Sequence, residues 1–178
     1  SPGGPNEVVI SGNKLNDTSG IAAVNVFDGA THARVEITNN ELSGDPGGLR
    51  DIDDLTFTDN DVTVSTEYAL DLEAIGESTI SDNEFESVDG APEFVQVDDD
   101  SVELSPILDN TFDGAVTVRD DAGDITGDRI FAAIQPAVDA ASGDDTVDVG
   151  AGTYNESVDI STQNVTLEGP NADVAGYS

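Results

Sequence analysis

The chain has 178 residues, enough for one domain with a buried core. It carries 38 acidic and 5 basic residues, a formal charge of −33. This balance argues against a nucleic-acid partner, because phosphate binding needs a basic surface. There is no cysteine and no apolar run of about 18 residues, so the sequence predicts no disulfide framework, no thiolate metal site and no membrane span.

The excess of acid also predicts an environment. The hydrophobic fraction of 37% favours a packed core over disorder. Repulsion between carboxylates destabilises a compact chain in dilute salt, but at 1 M salt the Debye length is only about 3 Å. We therefore expect a halophile's protein. Three candidate glycosylation sequons, at Asn16, Asn155 and Asn164, favour an extracellular or cell-surface location.

Five segments between the N-terminus and Phe112 share the pattern apolar-x-x-Asn-x-apolar. They are residues 10–15, 37–42, 57–62, 80–85 and 107–112. The shared asparagines recur at the interval of a solenoid coil; they are Asn13, Asn40, Asn60, Asn83 and Asn110. The sequence therefore predicts an all-β chain, a right-handed parallel β-helix, with these asparagines stacked in a ladder.

Each position of the motif has a physical reading. The flanking apolar residues should point inward from strands, and the asparagine can adopt the left-handed conformation and bond neighbouring backbone. Further short strands are predicted between the motifs, at residues 22–27, 68–72 and 94–97. An antiparallel sandwich also has short, evenly spaced strands, but its hairpins would not repeat one bend motif once per coil length.

The pattern stops after Phe112, which suggests three parts. Residues 1–115 form the coils, residues 116–127 form a linker that begins with a short strand, and residues 128–178 form a capping helix with further strands. The helix is predicted over residues 128–141, with one apolar face and with Pro136 either kinking it or marking its first turn. Strands are predicted at residues 145–149, 152–154, 157–160 and 164–172.

This last part resembles the opening of pectin-lyase-like β-helix proteins. The matching segments are residues 134–141 in the helix and residues 145–149, 152–156 and 165–172 in the coils that follow it. The resemblance covers about a quarter of the chain and implies a helix that caps the N-terminal end of a solenoid. Here the same module follows the coils instead of preceding them. This order is expected if the chain is one window of a tandem-repeat surface protein of a halophile, and if the window begins inside a repeat.

An uncapped first coil would expose strand edges and apolar core. We therefore expect the last segment to cover it, either from a neighbouring copy, in a head-to-tail filament, or by folding back within the chain. The neighbouring copy is the favoured partner. The residues expected to form the cap and the assembly surface are Val8, Ile10, Ile130, Ile134, Val138, Val147, Val149, Val165 and Leu167.

The alternative function is a carbohydrate-active enzyme or a module that binds surface glycans. The resemblance implies lyases that use an Arg or Lys base with bound Ca²⁺, but no such partner motif is recognisable here. Candidate carboxylates for hydrolysis are Asp51, Asp53, Asp71, Glu73, Asp98 and Asp100, although such pairs arise by chance among 38 acids. We expect no catalytic site and no dedicated cofactor.

Two smaller features complete the candidates. The run Asp98, Asp99 and Asp100 is a weak candidate for adventitious Ca²⁺ or monovalent cations. The lone histidine, His32, has no neighbours that suggest a triad.

Overall fold

The computed structural model describes residues 7–16, 24–26, 33–44, 47–65, 68–88, 93–97, 102–161 and 164–171. The predicted parallel β-helix is confirmed, as a solenoid of about six turns with two short helices. Its strands, in chain order, are β1 (Glu7–Ser11), β2 (Lys14–Asn16), β3 (Val24–Val26), β4 (Arg34–Thr38), β5 (Glu41–Gly44), β6 (Gly47–Thr58), β7 (Asp61–Val64), β8 (Leu70–Ser81), β9 (Glu84–Ser87), β10 (Glu93–Val97) and β11 (Thr111–Phe112).

The strands lie on three faces, and neighbouring coils pair in parallel on each face. The first face holds β1, β4 and the second halves of β6 and β8. The second face holds β2, β5, β7, β9 and β11. The third face holds β3, the first halves of β6 and β8, and β10.

Because neighbouring coils pair in parallel, side chains of the same kind lie above one another along the solenoid axis and form the core. Alternate residues of each strand point inward. The inward rows include Val8–Val35–Leu55 and Ile10–Ile37–Phe57–Ile80 on the first face, and Leu15–Leu42–Val62–Phe85–Phe112 on the second. Phe85 and Phe112 stack with ring centroids 4.9 Å apart. We call this the first core.

β6 and β8 each turn a corner without a break. At the corner Asp51 and Ala74 adopt φ values of 56° and 52°, in the left-handed region. Gly76 then passes close to the neighbouring coil, where a Cβ would come within 2.5 Å of the backbone oxygen of Asp53. This position therefore requires glycine, which is why the corner of the next coil can pack against β6.

The fifth motif differs from the other four. Its first-face strand is replaced by the helix α1 (Leu104–Ile107), which contains Pro106. Proline has no N–H to donate to a strand ladder, so a short helix replaces the expected strand. Leu104 and Ile107 are nevertheless buried in the first core.

After β11 the chain adds β12 (Val116–Arg119), β13 (Arg129–Phe131), α2 (Ile134–Ala140), β14 (Thr146–Val149) and β15 (Thr166–Glu168). β12 belongs to the range predicted as a linker, and it pairs antiparallel with β13 and β14. The helix is shorter than predicted: residues 129–131 pair with β10, and Pro136 lies in the first turn, where a missing N–H is tolerated.

Two other predicted strands are absent from this described region. Residues 152–154 and 157–160 have no strand partner. The backbone N–H of Asp159 instead donates to the Gln135 side chain over 2.7 Å, so local contacts with α2 replace a ladder.

The last elements form a second core on the opposite face of the same sheet. Its buried members are Val116, Val118, Phe131, Ala137, Val138, Ala141 and Val147. β13 divides the two cores, since Ile130 lies in the first and the adjacent Phe131 in the second. Successive residues of a strand face opposite ways, so one sheet serves both cores.

Candidate functional site

The five motif asparagines form a continuous hydrogen-bonded row. At each step the backbone N–H and the side-chain Nδ2 of one asparagine donate to Oδ1 of the next. Asn40 donates to Asn60 over 3.0 Å from both atoms, and Asn60 donates to Asn83 over 2.9 Å from both. The first step, from Asn13 to Asn40, spans 3.0 and 3.2 Å, and the last, from Asn83 to Asn110, 2.9 and 3.0 Å.

The two ends of this ladder differ. At Asn110 the backbone N–H donates to the carbonyl of Ile107, and Nδ2 donates to the carbonyls of Ile80 and Ile107. At the other end Asn13 is exposed, and no described residue donates to its Oδ1. At the C-terminal end of the ladder the donors of Asn110 are therefore satisfied by backbone carbonyls. At the first coil Oδ1 of Asn13 remains without a described donor.

The left-handed residue is not the asparagine, as we expected, but the residue before it. Gly12, Asn39, Asp59 and Asp82 have φ values of 67°, 56°, 56° and 59°. The positive φ of this residue makes the bend and lets the following asparagine turn its amide inward; four of the five ladder asparagines are buried. The sequence carried the signal, because Gly, Asn and Asp are the residues that tolerate this conformation.

The one sheet that joins both cores has β1 at one edge and β15 at the other. No described strand covers the outer edge of either. Val8, Ile10 and Leu15 of the first coil are only partly buried against the first core. Leu167 of β15 is 42% exposed, and Ile160 is 46% exposed.

The residues expected to form the cap and the assembly surface are therefore divided. Ile130, Val138 and Val147 are fully buried inside this chain, while Ile134, Val149 and Val165 pack at the rim of the second core. Val8, Ile10 and Leu167 remain accessible. Sequence reasoning missed Ile160 and the outward-facing Val9, which is 57% exposed. The segment 145–171 does not fold back over the first coil, because β14 pairs with β12 at the far end of the sheet.

All five basic residues form ion pairs, and each has a partner on a neighbouring strand. Lys14 pairs with Glu41 of the next coil, and Arg34 bridges back to Glu7 over 3.4 Å. The Arg50 guanidinium lies 2.6 Å from both Asp71 and Glu73. Arg129 pairs with Glu93, and Arg119 pairs with Asp148 and Glu168. The cations thus reduce repulsion between adjacent acidic coils.

Arg119 interacts with two carboxylates on neighbouring strands. Its hydrogen bond to Asp148, together with the charges of Asp148 and Glu168, raises the pKa of the guanidinium although partial desolvation opposes the shift. It lines a cavity of about 530 Å³ between the end of the first core, at Leu108, and the outer face of β12 and β14. Because both carboxylates already engage Arg119, the described residues around this cavity offer no free cation to an anionic ligand.

Two side chains near the second core, Glu156 and Tyr154, hold the irregular segment that follows β14. The Glu156 carboxylate accepts hydrogen bonds from the backbone N–H groups of Ile134 and Gln135, at 2.7 and 2.9 Å, and so caps α2. Tyr154 donates to the carbonyl of Gly150 over 3.1 Å. Burial, with the nearby charges of Asp113 and Glu156, raises the pKa of Tyr154 above its ordinary 10.0.

Among the described candidate carboxylates, Asp71 and Glu73 share Arg50 and do not form an open pair. Asp71 is 3% exposed and engaged by Arg50, which also binds Glu73, whereas Asp53 is exposed on the corner of β6. Asp98, Asp99, Asp100 and His32 lie outside the described residues. In the described ranges there is no group of three or more His, Cys, Asp or Glu side chains placed to hold a metal ion.

Two remaining features concern location. The sequon residues Asn16, Asn155 and Asn164 are all exposed. Neither of the helices seen in the described segments has the length and apolar character needed to cross a membrane.

A comparison with protein families supports the β-helix. The family model described as "Periplasmic copper-binding protein (NosD)" matches residues 3–130, well over half of the chain. The match ends at Ile130, where the first core gives way to the second. No curated protein and no solved structure matches the chain.

Proposed function

The chain belongs to the NosD family of β-helix proteins, described as periplasmic, and from this premise we propose that it is a structural, non-catalytic module that works outside the cytoplasmic membrane. In this proposal it is a subunit or repeat of a β-helical filament or surface protein of a halophile. Copies assemble head to tail through the ends of the solenoid.

The observation that carries the proposal is the single sheet whose edge strands, β1 and β15, have no outer partner among the described strands. An open parallel edge presents unpaired backbone groups that readily accept another strand. Both edges also expose apolar side chains, with Leu167 at 42% exposure at one end and a partly exposed first coil at the other. Two different ends favour head-to-tail contact, which does not close on itself.

The family's description as copper-binding does not fit the donor groups of this chain. Soft sulfur ligands and imidazoles are the usual copper ligands in proteins. The chain has no cysteine, no methionine and a single histidine. We therefore propose a role that needs no copper.

A saline environment is supported by the charge distribution. With a net charge of −33 per chain, copies repel one another strongly in dilute salt. The five cations are all engaged within the chain, so they offer little compensation between copies. Molar salt would reduce the Debye length to about 3 Å, so that this repulsion no longer prevents the apolar edges from associating.

A catalytic role has less support than the structural one. Asp71, the most buried of the described candidate carboxylates, has its Oδ2 2.6 Å from the Arg50 guanidinium, an arrangement that ties the third-face strands of two coils together. A carboxylate fixed in this way serves as a structural clamp rather than as a general acid.

Analytical ultracentrifugation with electron microscopy tests the proposal. We expect the purified chain to be monomeric in about 0.1 M salt, where the Debye length is about 10 Å, and to form elongated multimers above about 1 M. Copper or a chelator should leave the sedimentation profile unchanged. A monomer at every salt and protein concentration would contradict the proposal, as would assembly that depends on copper.

A further inference from the structure

The cavity beside Arg119 lies where the end of the first core meets the sheet of the second core. Leu108, just after α1, forms one wall, and Thr117, Arg119 and Asp148 of β12 and β14 form another. Its volume of about 530 Å³ falls within the range of about 300–1,000 Å³ that small-molecule sites occupy. The cavity can therefore hold a ligand of about the size of a monosaccharide.

Thr117 carries a buried hydroxyl that faces this cavity. Its neighbours in β12, Val116 and Val118, both point into the second core, so the side chain of Thr117 points to the opposite side of the strand. The residue is only 6% exposed, yet its hydroxyl forms no hydrogen bond with any described residue. Because buried polar groups are normally paired, this hydroxyl indicates a partner that occupies the cavity.

The charged groups of the wall indicate the charge of that partner. Arg119 donates to Asp148 through Nε and Nη2, and to Glu168 through Nη2. One guanidinium thus lies beside two carboxylates, so the wall has an excess of negative charge that repels an anion. The guanidinium in turn repels a cation.

Donors and acceptors remain available on this wall. Nη1 of Arg119 and Oε1 of Glu168 take no part in hydrogen bonds between described residues, and the Thr117 hydroxyl can both donate and accept. Leu108 and Pro170 add apolar surface. A mixture of donors, acceptors and apolar surface is complementary to a molecule with several hydroxyl groups on a carbon frame, since each hydroxyl also donates and accepts.

We propose that this cavity binds a small neutral polyhydroxyl compound of about monosaccharide size. Its hydroxyl groups bond Thr117, Arg119 and Glu168, and its C–H groups pack against Leu108 and Pro170. The site goes beyond the structural role proposed above and does not depend on assembly, because all its residues belong to one chain.

Equilibrium dialysis against labelled probes tests the site at molar salt, because it reports binding per chain whether or not the copies assemble. The neutral probes are glucose and myo-inositol. Glucuronate and glucosamine carry opposite charges on the same kind of ring, and a mildly acidic buffer keeps glucosamine cationic. We expect one neutral probe bound per chain, and at least about 10-fold weaker binding of both charged probes, since a buried charge without a partner is costly.

Thr117→Val keeps the branched shape of the side chain and removes its hydroxyl. We expect the affinity for the neutral probe to fall about 3- to 10-fold, the effect of one lost hydrogen bond. Without a probe, the midpoint of urea unfolding should stay the same or rise, because the variant no longer buries an unpaired hydroxyl. The matched control is Thr63→Val on β7, outside the cavity, which should leave binding unchanged.

Three results would overturn the proposal. One is that neither neutral probe binds, which would leave water as the partner of Thr117. Another is tighter binding of glucuronate or glucosamine than of both neutral probes, which would show a charged ligand. The third is an equal effect of Thr117→Val and Thr63→Val on affinity, which would place the bound probe elsewhere.

Discussion

The two cores share a sheet but are stabilised in different ways. The first core consists of rows in which each coil repeats the side chain of the coil before it, with the asparagine ladder inside the bend. The second core has no such repeat. It depends on single contacts, among them the cap from Glu156 to α2 and the bond from Tyr154 to Gly150. We therefore expect substitution of a ladder asparagine to destabilise the whole first core. Loss of one contact in the second core should destabilise only the residues around it.

Loss of a central rung is expected to have the largest effect. In Asn60→Ala the backbone N–H of Asn40 loses its acceptor and Nδ2 of Asn40 loses one of three. The carbonyl of Ile37 loses the Nδ2 donor, and Oδ1 of Asn83 loses one of its two donors. Because these groups are buried, we expect a loss of about 1–3 kcal/mol in the free energy of unfolding. Urea denaturation followed by circular dichroism at fixed molar salt measures it.

The matched control for that variant is Asn13→Ala at the open end of the ladder. Asn13 is exposed, so water replaces its partners and the loss should be well below that of Asn60→Ala. Equal losses at the two positions would show that the ladder contributes no more inside the solenoid than at its edge.

A smaller and local effect is expected in the second core. Glu156→Ala removes the acceptor of two N–H groups at the start of α2, and the loss of such a cap costs about 0.5–2 kcal/mol. Hydrogen exchange should quicken in residues 134–140 and stay unchanged in β4 to β8. The control is Glu86→Ala on β9, an exposed acid outside this core, for which we expect a change within about 0.5 kcal/mol. Faster exchange throughout the solenoid would mean that the two cores unfold as one unit.

The smallest effect concerns alkaline pH. Because burial raises the pKa of Tyr154 in the folded chain, the unfolded chain releases this proton first, near pH 10.0. The contribution of Tyr154 is fully present below pH 10.0 and is lost as the pH rises through the folded pKa. Unfolding measured from about pH 8 to about pH 11 should lose stability less steeply in Tyr154→Phe than in the unsubstituted chain. Identical slopes would exclude Tyr154 as the source.

The sequence predicted most of the first core and little of the second. The spacing of the motif asparagines was enough for the fold, because a stacked solenoid repeats its local pattern once per coil. Only the bend was misread, with the left-handed position assigned to the asparagine instead of to residues such as Asp59. The bend needs a residue that tolerates positive φ. Both the motif asparagine and the residue before it are of types that do, so the sequence alone does not distinguish them.

The second core could not be derived in the same way, because its contacts join residues that follow no period. Nothing local indicates that residues 129–131 leave the predicted helix to pair with β10, or that β12 reverses the sheet. The ion pairs could not be predicted from the sequence either, because their partners are far apart along the chain. The partner of Arg119 lies 29 residues away on a strand of opposite direction.

The unequal steps of the ladder have a consequence for how such a chain can change its length. The coils between successive rungs differ in length, yet the hydrogen bonds of every rung lie between 2.9 and 3.2 Å. In the shortest step, from Asn40 to Asn60, only two residues separate the end of β5 from the start of β6, and the longer steps have more residues between their strands. Each coil bonds only to its neighbours, so a whole coil could be duplicated or deleted and the two flanking rungs could still join. In this architecture the natural unit of insertion is the turn of the solenoid, and growth by such units would lengthen the molecule without requiring a new core.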